Sequence, residues 1–522
     1  MKQHKLIAAI LSLVMVLSAC GTGSSQDIPE DAIHIALSDN AVTVDGSNAE
    51  TDGASAVYTA NDIVYYESGK DFTYGEGNEN DAHSAAEADA HTVVHITQPG
   101  TYYITGTLTH GQIAVDLGKD AKNDPNAVVT LILGGMDITC EVAPAVIFYR
   151  VYECGSDDSD NASKDVDTSA AGANVIIADG TTNNINGSYV ARIYDPDSVV
   201  LSEDGTEIED AKKLHKYDGA FYSRMSLNIS GGKRNTGTLN IIADNEGLDS
   251  ELHLTINGGN INIFSGNDGI NTNEDGVSVT TINNGCLNIK VTGETGEGDG
   301  IDSNGWLVIN GGTVIAAACS TSADAGIDSD MGIHINGGTV IATGHMLDKI
   351  EDGGQNYAVF SFAQEQEAAA EVSLRNEKNK NILTICPAND YSILIFSSAN
   401  LQTGTYTLWS NDTQLKGQSG GYMMGGPGMQ GRPDGMPDGA TPPELPEGQQ
   451  PPANGEFPDG QQPPRGDERP DGQEPPEMPD GEGNGGQFPG GFGPSANGSS
   501  QEYSAEFTIT DGANQFSAII PA

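Results

Sequence analysis

Basic side chains are scarce: 23 Lys and Arg stand against 74 Asp and Glu in 522 residues, a formal net charge of −51. That imbalance excludes nucleic acid as a partner, keeps the chain soluble and makes cations natural companions. Aromatic residues are few, at 6% with two Trp, while glycine is abundant at 67. Such a mixture does not build a conventional helical core. No Cys-x-x-Cys pair occurs. The cysteines after Cys20 (Cys140, Cys154, Cys286, Cys319 and Cys386) are odd in number, which argues against a complete disulfide framework in an exported chain. Cys286 and Cys319 lie in or beside apolar ladders and read as small packing residues.

The amino terminus reads as an export signal. "MKQHK" is a basic lead, and "LIAAILSLVMVLSA" is an apolar run too short for an ordinary membrane span. The run closes on "LSAC" and a glycine, which resembles the lipobox of bacterial lipoproteins. The resemblance implies cleavage before Cys20 and a lipid on its thiol, so that the mature chain is tethered to a membrane with its body in solution. The polar stretch from "GTGSSQDIPEDA" to about residue 60 reads as a stalk.

The centre of the chain is repetitive. "LNISGG", "LTINGG", "TINNG", "LVINGG" and "IHINGG" place Ser230, Asn257, Asn283, Asn310 and Asn336 at spacings of 27, 26, 27 and 26. A period of that length, filled with alternating apolar and polar residues and punctuated by glycine, describes coils of a parallel β-helix. Side chains two apart share a strand face. Leu227, Leu254, Thr280, Leu307 and Ile333 therefore make one inward column, and Ile229, Ile256, Ile282, Ile309 and Ile335 a second. A second strand supplies Leu239, Ile261, Leu287, Val314 and Val340, followed by Ile241, Ile263, Ile289, Ala316 and Ala342. A third wall holds Leu248, Ile270, Ile301 and Ile327. The Asn-Gly-Gly corners supply the positive-φ conformations that a narrow coil needs, with stacked asparagines as an outer seam. "VVTLILGGMDITC" and "ANVIIADGTTNNING" share this grammar at looser spacing and extend it upstream.

The third wall is acidic on its outer side. Asp249, Asn271, Asp302 and Asp328 follow its apolar column, and Glu246, Asp268 and Asp299 precede the glycine, with Asp324 offset by one place. Stacked about 4.8 Å apart, outward carboxylates of like charge repel. At an effective dielectric near 20 each pair costs about 3 kcal/mol before screening. Calcium, which takes carboxylate and carbonyl oxygens, relieves that repulsion and is the cofactor these residues imply. Trp306 falls at an outward position of the first wall and is a candidate sugar platform. His253 and His334 are outward without a partner pattern.

Together, "ITQPGTYYITGTLTHGQIAVDL", "VVTLILGGMDIT", the Gly-Ile and Asn-Gly-Gly coils and the closing "YSILIFSSANLQTGTYTLWSN" resemble the clostridial β-helix lipoproteins that bind cellulose and polygalacturonate, themselves similar to family 9 polysaccharide lyases. The resemblance covers about residues 90 to 415 and the last twenty. It implies a right-handed helix, the hand usual for parallel crossovers, with calcium on aspartates of one wall and binding of acidic or cellulosic polymers. Many repeats of that family read Asp-Gly-Ile-Lys, whereas Asp249, Asn271, Asp302 and Asp328 stand at the lysine position here. A lyase needs a base for the proton beside the uronate carboxylate. Between residues 235 and 345 the one lysine is Lys290, in the second strand.

From about 416 to 500 the chain is Pro/Gly-rich, with 17 of the 24 prolines, and cannot bury a core. Strand alternation returns in "YSAEFTITDGANQFSAII", so the Pro/Gly stretch reads as an insertion. The expected organisation is a leader at 1–19, an anchor and stalk at 20–60 and a carbohydrate-binding parallel β-helix at 61–345. A C-terminal β cap follows at 346–415 and 501–522, interrupted by a disordered insertion at 416–500. The class is all-β, a single-stranded right-handed solenoid of 26–27 residues per coil. The expected function is that of a monomeric, outward-facing lipoprotein, not an enzyme, that holds a polyuronate or cellulose through calcium. A calcium-dependent lyase is the alternative, and a protein-recognising adhesin stands third.

Overall fold

The structure, a computed structural model, describes residues 28–155, 157–420 and 502–522. The leader, Cys20 and residues 421–501 of the Pro/Gly stretch lie outside these residues. Strands make up 47% of the described residues and helix 3%, which agrees with a composition unsuited to a helical core.

The repeats pair in parallel, each with the next. Leu227, Leu254, Thr280, Leu307 and Ile333 stand in register, as do Ile229, Ile256, Ile282, Ile309 and Ile335. All ten are buried in one hydrophobic core except Thr280, which is buried but polar. Its hydroxyl oxygen lies 3.1 Å from Thr272 Oγ1, so the apolar column is interrupted without an unpaired group. The second set is in register too, from Leu239 to Val340 and from Ile241 to Ala342. Each fully buried Leu or Ile contributes about 1.5–3 kcal/mol relative to exposure, so the columns are a principal stabilising element.

Parallel register extends upstream. Val129 and Leu131 pair with Ala173 and Val175, which pair with Leu227 and Ile229. Ile138, Ile185 and Ile241 continue the second column. Here one strand, Val129–Cys140, serves both sets and bends at Gly134–Gly135. Gly135 adopts φ +101°, and Asn183 Oδ1 accepts the N–H groups of Gly135 and Met136 at 2.8 and 2.9 Å. In the later repeats the second corner glycine does this work. Gly312 has φ +77°, and a Cβ there would sit 2.7 Å from Gly285 O.

A separate eight-stranded sheet runs Val57–Ala60, Thr92–Ile96, Gly111–Asp116, Val146–Arg150, Gly219–Ser223, Glu246–Ser250, Ile270–Thr272 and Ile301–Ser303. All its pairings are parallel except the first. Leu248, Ile270 and Ile301 stack inward as expected. Ile327 is buried in the same core but carries no strand.

Two boundaries differ from the sequence reading. Residues 33–60 contain strands: Ile33–Leu37 pairs in parallel with Gly100–Leu108, burying Ile35 and Leu37. A five-residue apolar alternation was hidden there by polar flanks. At the other end, residues 416–419 belong to the strand Thr413–Ser419.

The last strand of the repeats, Thr339–Gly344, meets an antiparallel one, Tyr391–Ser398. That strand pairs onward with Tyr357–Gln366, which takes Ala513–Pro521 beside it. A second core of Phe360, Phe396, Phe507 and Phe516 fills this end. The edge of Thr339–Gly344 is thereby covered.

Candidate functional site

The outer face of the eight-stranded sheet carries the acidic side chains. Because Leu248, Ile270 and Ile301 point inward, the next residues point out, and Asp249, Asn271 and Asp302 stand in register. Asp328 continues the column, its N–H donating to Ile301 O at 2.7 Å. Asp268 and Asp299 are stacked through their backbones, with Gly269 N–H donating to Asp299 O and Gly247 N–H to Asp268 O.

The side chains face out yet are withdrawn from water. Asp249 is fully buried and Asn271 is 7% exposed. Glu246 is buried, and Asp268, Asp299, Asp302 and Asp328 are half-buried. Burial, reinforced by neighbouring carboxylates, pushes Asp299 up to about 9 and Asp302 and Asp328 to about 7. Burial likewise raises Asp268 to about 7, against the N–H bond from Asp299. Glu246 is driven well above the carboxylate range by burial and by Asp218 and Asp268, and Asp249 by burial and by Glu246 and Asp218. One oxygen each of Asp299, Asp302 and Asp328 lies within 4.8 Å of the others.

Several oxygens are orphaned. Glu246 Oε1 accepts from Asn271 Nδ2 at 3.1 Å, and Asp249 Oδ1 from Asn273 Nδ2 at 2.6 Å. Their second oxygens, with Asn271 Oδ1 and Asp328 Oδ1, are buried without a hydrogen-bond partner. An amide oxygen cannot be satisfied by its own protonation, and with Glu246 ionised Asn271 Nδ2 faces it, leaving Asn271 Oδ1 without a donor. An all-oxygen set of acceptors lacking donors fits a hard cation such as calcium.

Asp324 is placed differently. Its Oδ2 accepts from Gly298 N–H at 2.7 Å and lies 3.0 Å from Cys319 Sγ, so it holds the turn beside the wall. Trp306 is half-buried in the strand Trp306–Ile309 of the other sheet and does not join the carboxylates. It projects from the same strand face as Val308, which lines an open groove of about 640 Å³ with Asn228, Thr255, Asn257, Asn283 and Asn310. His253, expected outward, is buried, and its Nδ1 accepts the Val279 N–H at 3.1 Å.

The periodic pattern missed the cations beside the wall. The excursion between Thr182–Gly187 and Gly219–Ser223 delivers Arg192, 3.0 Å from Asp218, and Lys216, 3.3 Å from Glu251. The carboxylate column also changes character along the sheet. Asp249 stands in register with Tyr222, and Tyr222 with Ile147. Beyond them Tyr149 holds the guanidinium groups of Arg150 and Arg224 at 5.1 Å each. "DGAFYS" at residues 218–223 echoes the later Gly-Ile motifs with one residue inserted, and was the available signal for Asp218.

A family model described as carbohydrate-binding domain-containing protein matches residues 90–385, more than half of the chain. A carbohydrate-binding domain-containing protein of Acetivibrio thermocellus is 29% identical over 190 residues, 35% of this chain and 51% of the relative. The chain thus spans about half the length of that relative. A solved structure described as a polysaccharide lyase-like protein from C. thermocellum, gadolinium derivative, matches 59% of this chain and 83% of its own. It does so at 20% identity and a TM-score of 0.31.

Proposed function

The chain belongs to the family of carbohydrate-binding domain-containing proteins, and from that premise we propose that it is a surface-tethered lipoprotein that holds an acidic polysaccharide across calcium. The parallel-paired sheets read as walls of a right-handed parallel β-helix closed by a C-terminal β cap. Polygalacturonate, a polyuronate, is the favoured polymer. The observation that carries this reading is the set of orphaned oxygens on Glu246, Asp249, Asn271 and Asp328. Calcium, when bound, supplies positive charge and coordination positions open to a uronate carboxylate. The chain's own contribution is the array of carboxylates, together with Tyr149 and Arg224 farther along the same sheet; Arg150 is engaged by Asp116. A guanidinium pairs with uronate carboxylates, and an aromatic face packs against sugar rings. A neutral cellulosic chain would instead suit the amide-lined groove beside Trp306.

Retention of the purified chain on immobilised polygalacturonate tests the reading. We expect calcium-dependent retention that EDTA abolishes and that Asp299→Asn with Asp302→Asn removes. Calcium-independent retention, or none, would overturn it. The second reading, a calcium-dependent lyase, is favoured by one observation, the amine of Lys216 beside Glu251 at the wall. Release of an unsaturated uronate product, lost in Lys216→Ala, would establish it.

A further inference from the structure

At the opposite end of the eight-stranded sheet, three successive turns bring together His91, His110 and Glu141, with one ligand atom from each within 4.8 Å of the others. None of these residues belongs to the acidic wall, and their donors are of a different class: two imidazole nitrogens and one carboxylate. From this geometry we infer a second cation site, which takes a divalent transition metal of the zinc type through His91 Nε2, His110 Nδ1 and the Glu141 carboxylate.

The site is built around His91, which is 2% exposed. It follows the helix Ala85–Asp89, whose start is fixed by a capping box between Ser84 and Glu87. His91 Nδ1 lies 2.8 Å from Glu87 O. A carbonyl can only accept, so Nδ1 carries the proton and Nε2 keeps its lone pair, the arrangement that orients metal-binding histidines. Asn61 Nδ2 holds the backbone in place by donating to the His91 carbonyl at 2.9 Å.

The other two donors come from adjacent turns. His110 O accepts from Thr92 N–H at 3.0 Å, and Asp39 holds the same turn through Thr109 N and Oγ1 at 2.7 and 2.9 Å. His110 Nδ1 stands 3.8 Å from Glu141 Oε2, and its ring meets that of His91 edge-on at 5.5 Å. The Glu141 N–H lies 3.3 Å from His91 Nε2, long for a hydrogen bond and the one contact an ion would replace. Side chains of His110 and Glu141 are 51% and 59% exposed. The set therefore offers three protein donors with an open side, as in sites that keep a fourth position for water or a ligand. Imidazole selects zinc-type ions, whereas the wall's oxygens select calcium, so the two sites divide cations by ligand chemistry.

The test is zinc binding by the full chain with excess calcium present to occupy the wall, read by equilibrium dialysis against a chromophoric chelator. One zinc per chain is expected. His110→Ala and Glu141→Gln, both at exposed positions, are each expected to weaken it at least about tenfold, and His91→Ala to abolish it. Substoichiometric zinc in the unaltered chain, or affinity unchanged in both exposed variants, would overturn the proposal. Cobalt in place of zinc should give visible absorption that His110→Ala removes.

Discussion

Two stacks of polar residues climb the molecule one repeat at a time, and they behave oppositely. In the seam, Asn283 Nδ2 donates to Asn257 Oδ1 at 2.9 Å, Asn310 to Asn283 at 2.9 Å and Asn336 to Asn310 at 2.8 Å. A parallel seam joins Asn184, Asn240, Asn262 and Asn288 in the same way. On the acidic wall the same repetition leaves oxygens without partners. An amide carries donor and acceptor and so complements its own copy, whereas an ionised carboxylate only accepts. Identical backbone spacing thus yields a closed chain of bonds in one place and an unmet demand for positive charge in the other.

The sharpest way to break this contrast is to withhold calcium. At a hundred- to thousandfold excess over its dissociation constant, calcium should add about 3 to 4 kcal/mol of apparent stability. Calorimetry with and without EDTA measures this, and an unchanged Tm would show that the wall asks for no cation. Converting wall to seam comes next. With Asp299→Asn and Asp302→Asn, the metal-free protein should gain on the order of 1–3 kcal/mol near pH 8, while its response to calcium shrinks.

The metal-free wall should also make stability fall with pH. Asp268, Asp302 and Asp328 titrate near 7 and Asp299 near 9 when folded, against about 3.9 in an unfolded chain. Below about pH 4 both states are protonated and these groups contribute nothing. As the pH climbs toward their folded values the unfolded chain ionises first, so stability drops across that window and levels off above it. A Tm that rises from about pH 5 to pH 8 in EDTA contradicts the assignment. The reverse exchange, Asn283→Asp, should cost about 1 kcal/mol by replacing a donor with an acceptor at an exposed seam. Smallest of all, Trp306→Ala should leave polygalacturonate retention and Tm nearly unchanged and reduce retention on cellulose.

Much of the architecture was legible because it repeats. The registers of Ile229 through Ile335 and of Leu239 through Val340 follow from spacing alone. So did the stacking of Asp249, Asn271 and Asp302, since a residue beside an inward isoleucine must face out. Their burial was not legible. It depends on what lies over the face, and Arg192 and Lys216 arrive there from an excursion that has no period. The same limit hid His91, His110 and Glu141: they sit at a common corner of turns whose lengths differ, so no spacing joins them. Asp324, one residue out of step, is turned toward Gly298. Ile33–Leu37 was overlooked because five residues of alternation are too few to stand out from polar surroundings.

The switch from parallel to antiparallel pairing at Thr339–Gly344 makes the height of this protein an adjustable quantity. The C-terminal cap pairs its strands with the last repeat, reaching further through Asn389 to Val291 O and Ala318 O, and the repeat strands from Leu227 to Ile335 pair with strands like themselves. Duplication or loss of one 26- or 27-residue unit would therefore lengthen or shorten the acidic wall and the amide seam together, by one step of about 4.8 Å, without redesigning either end. Evolution could tune the length of both faces simply by counting.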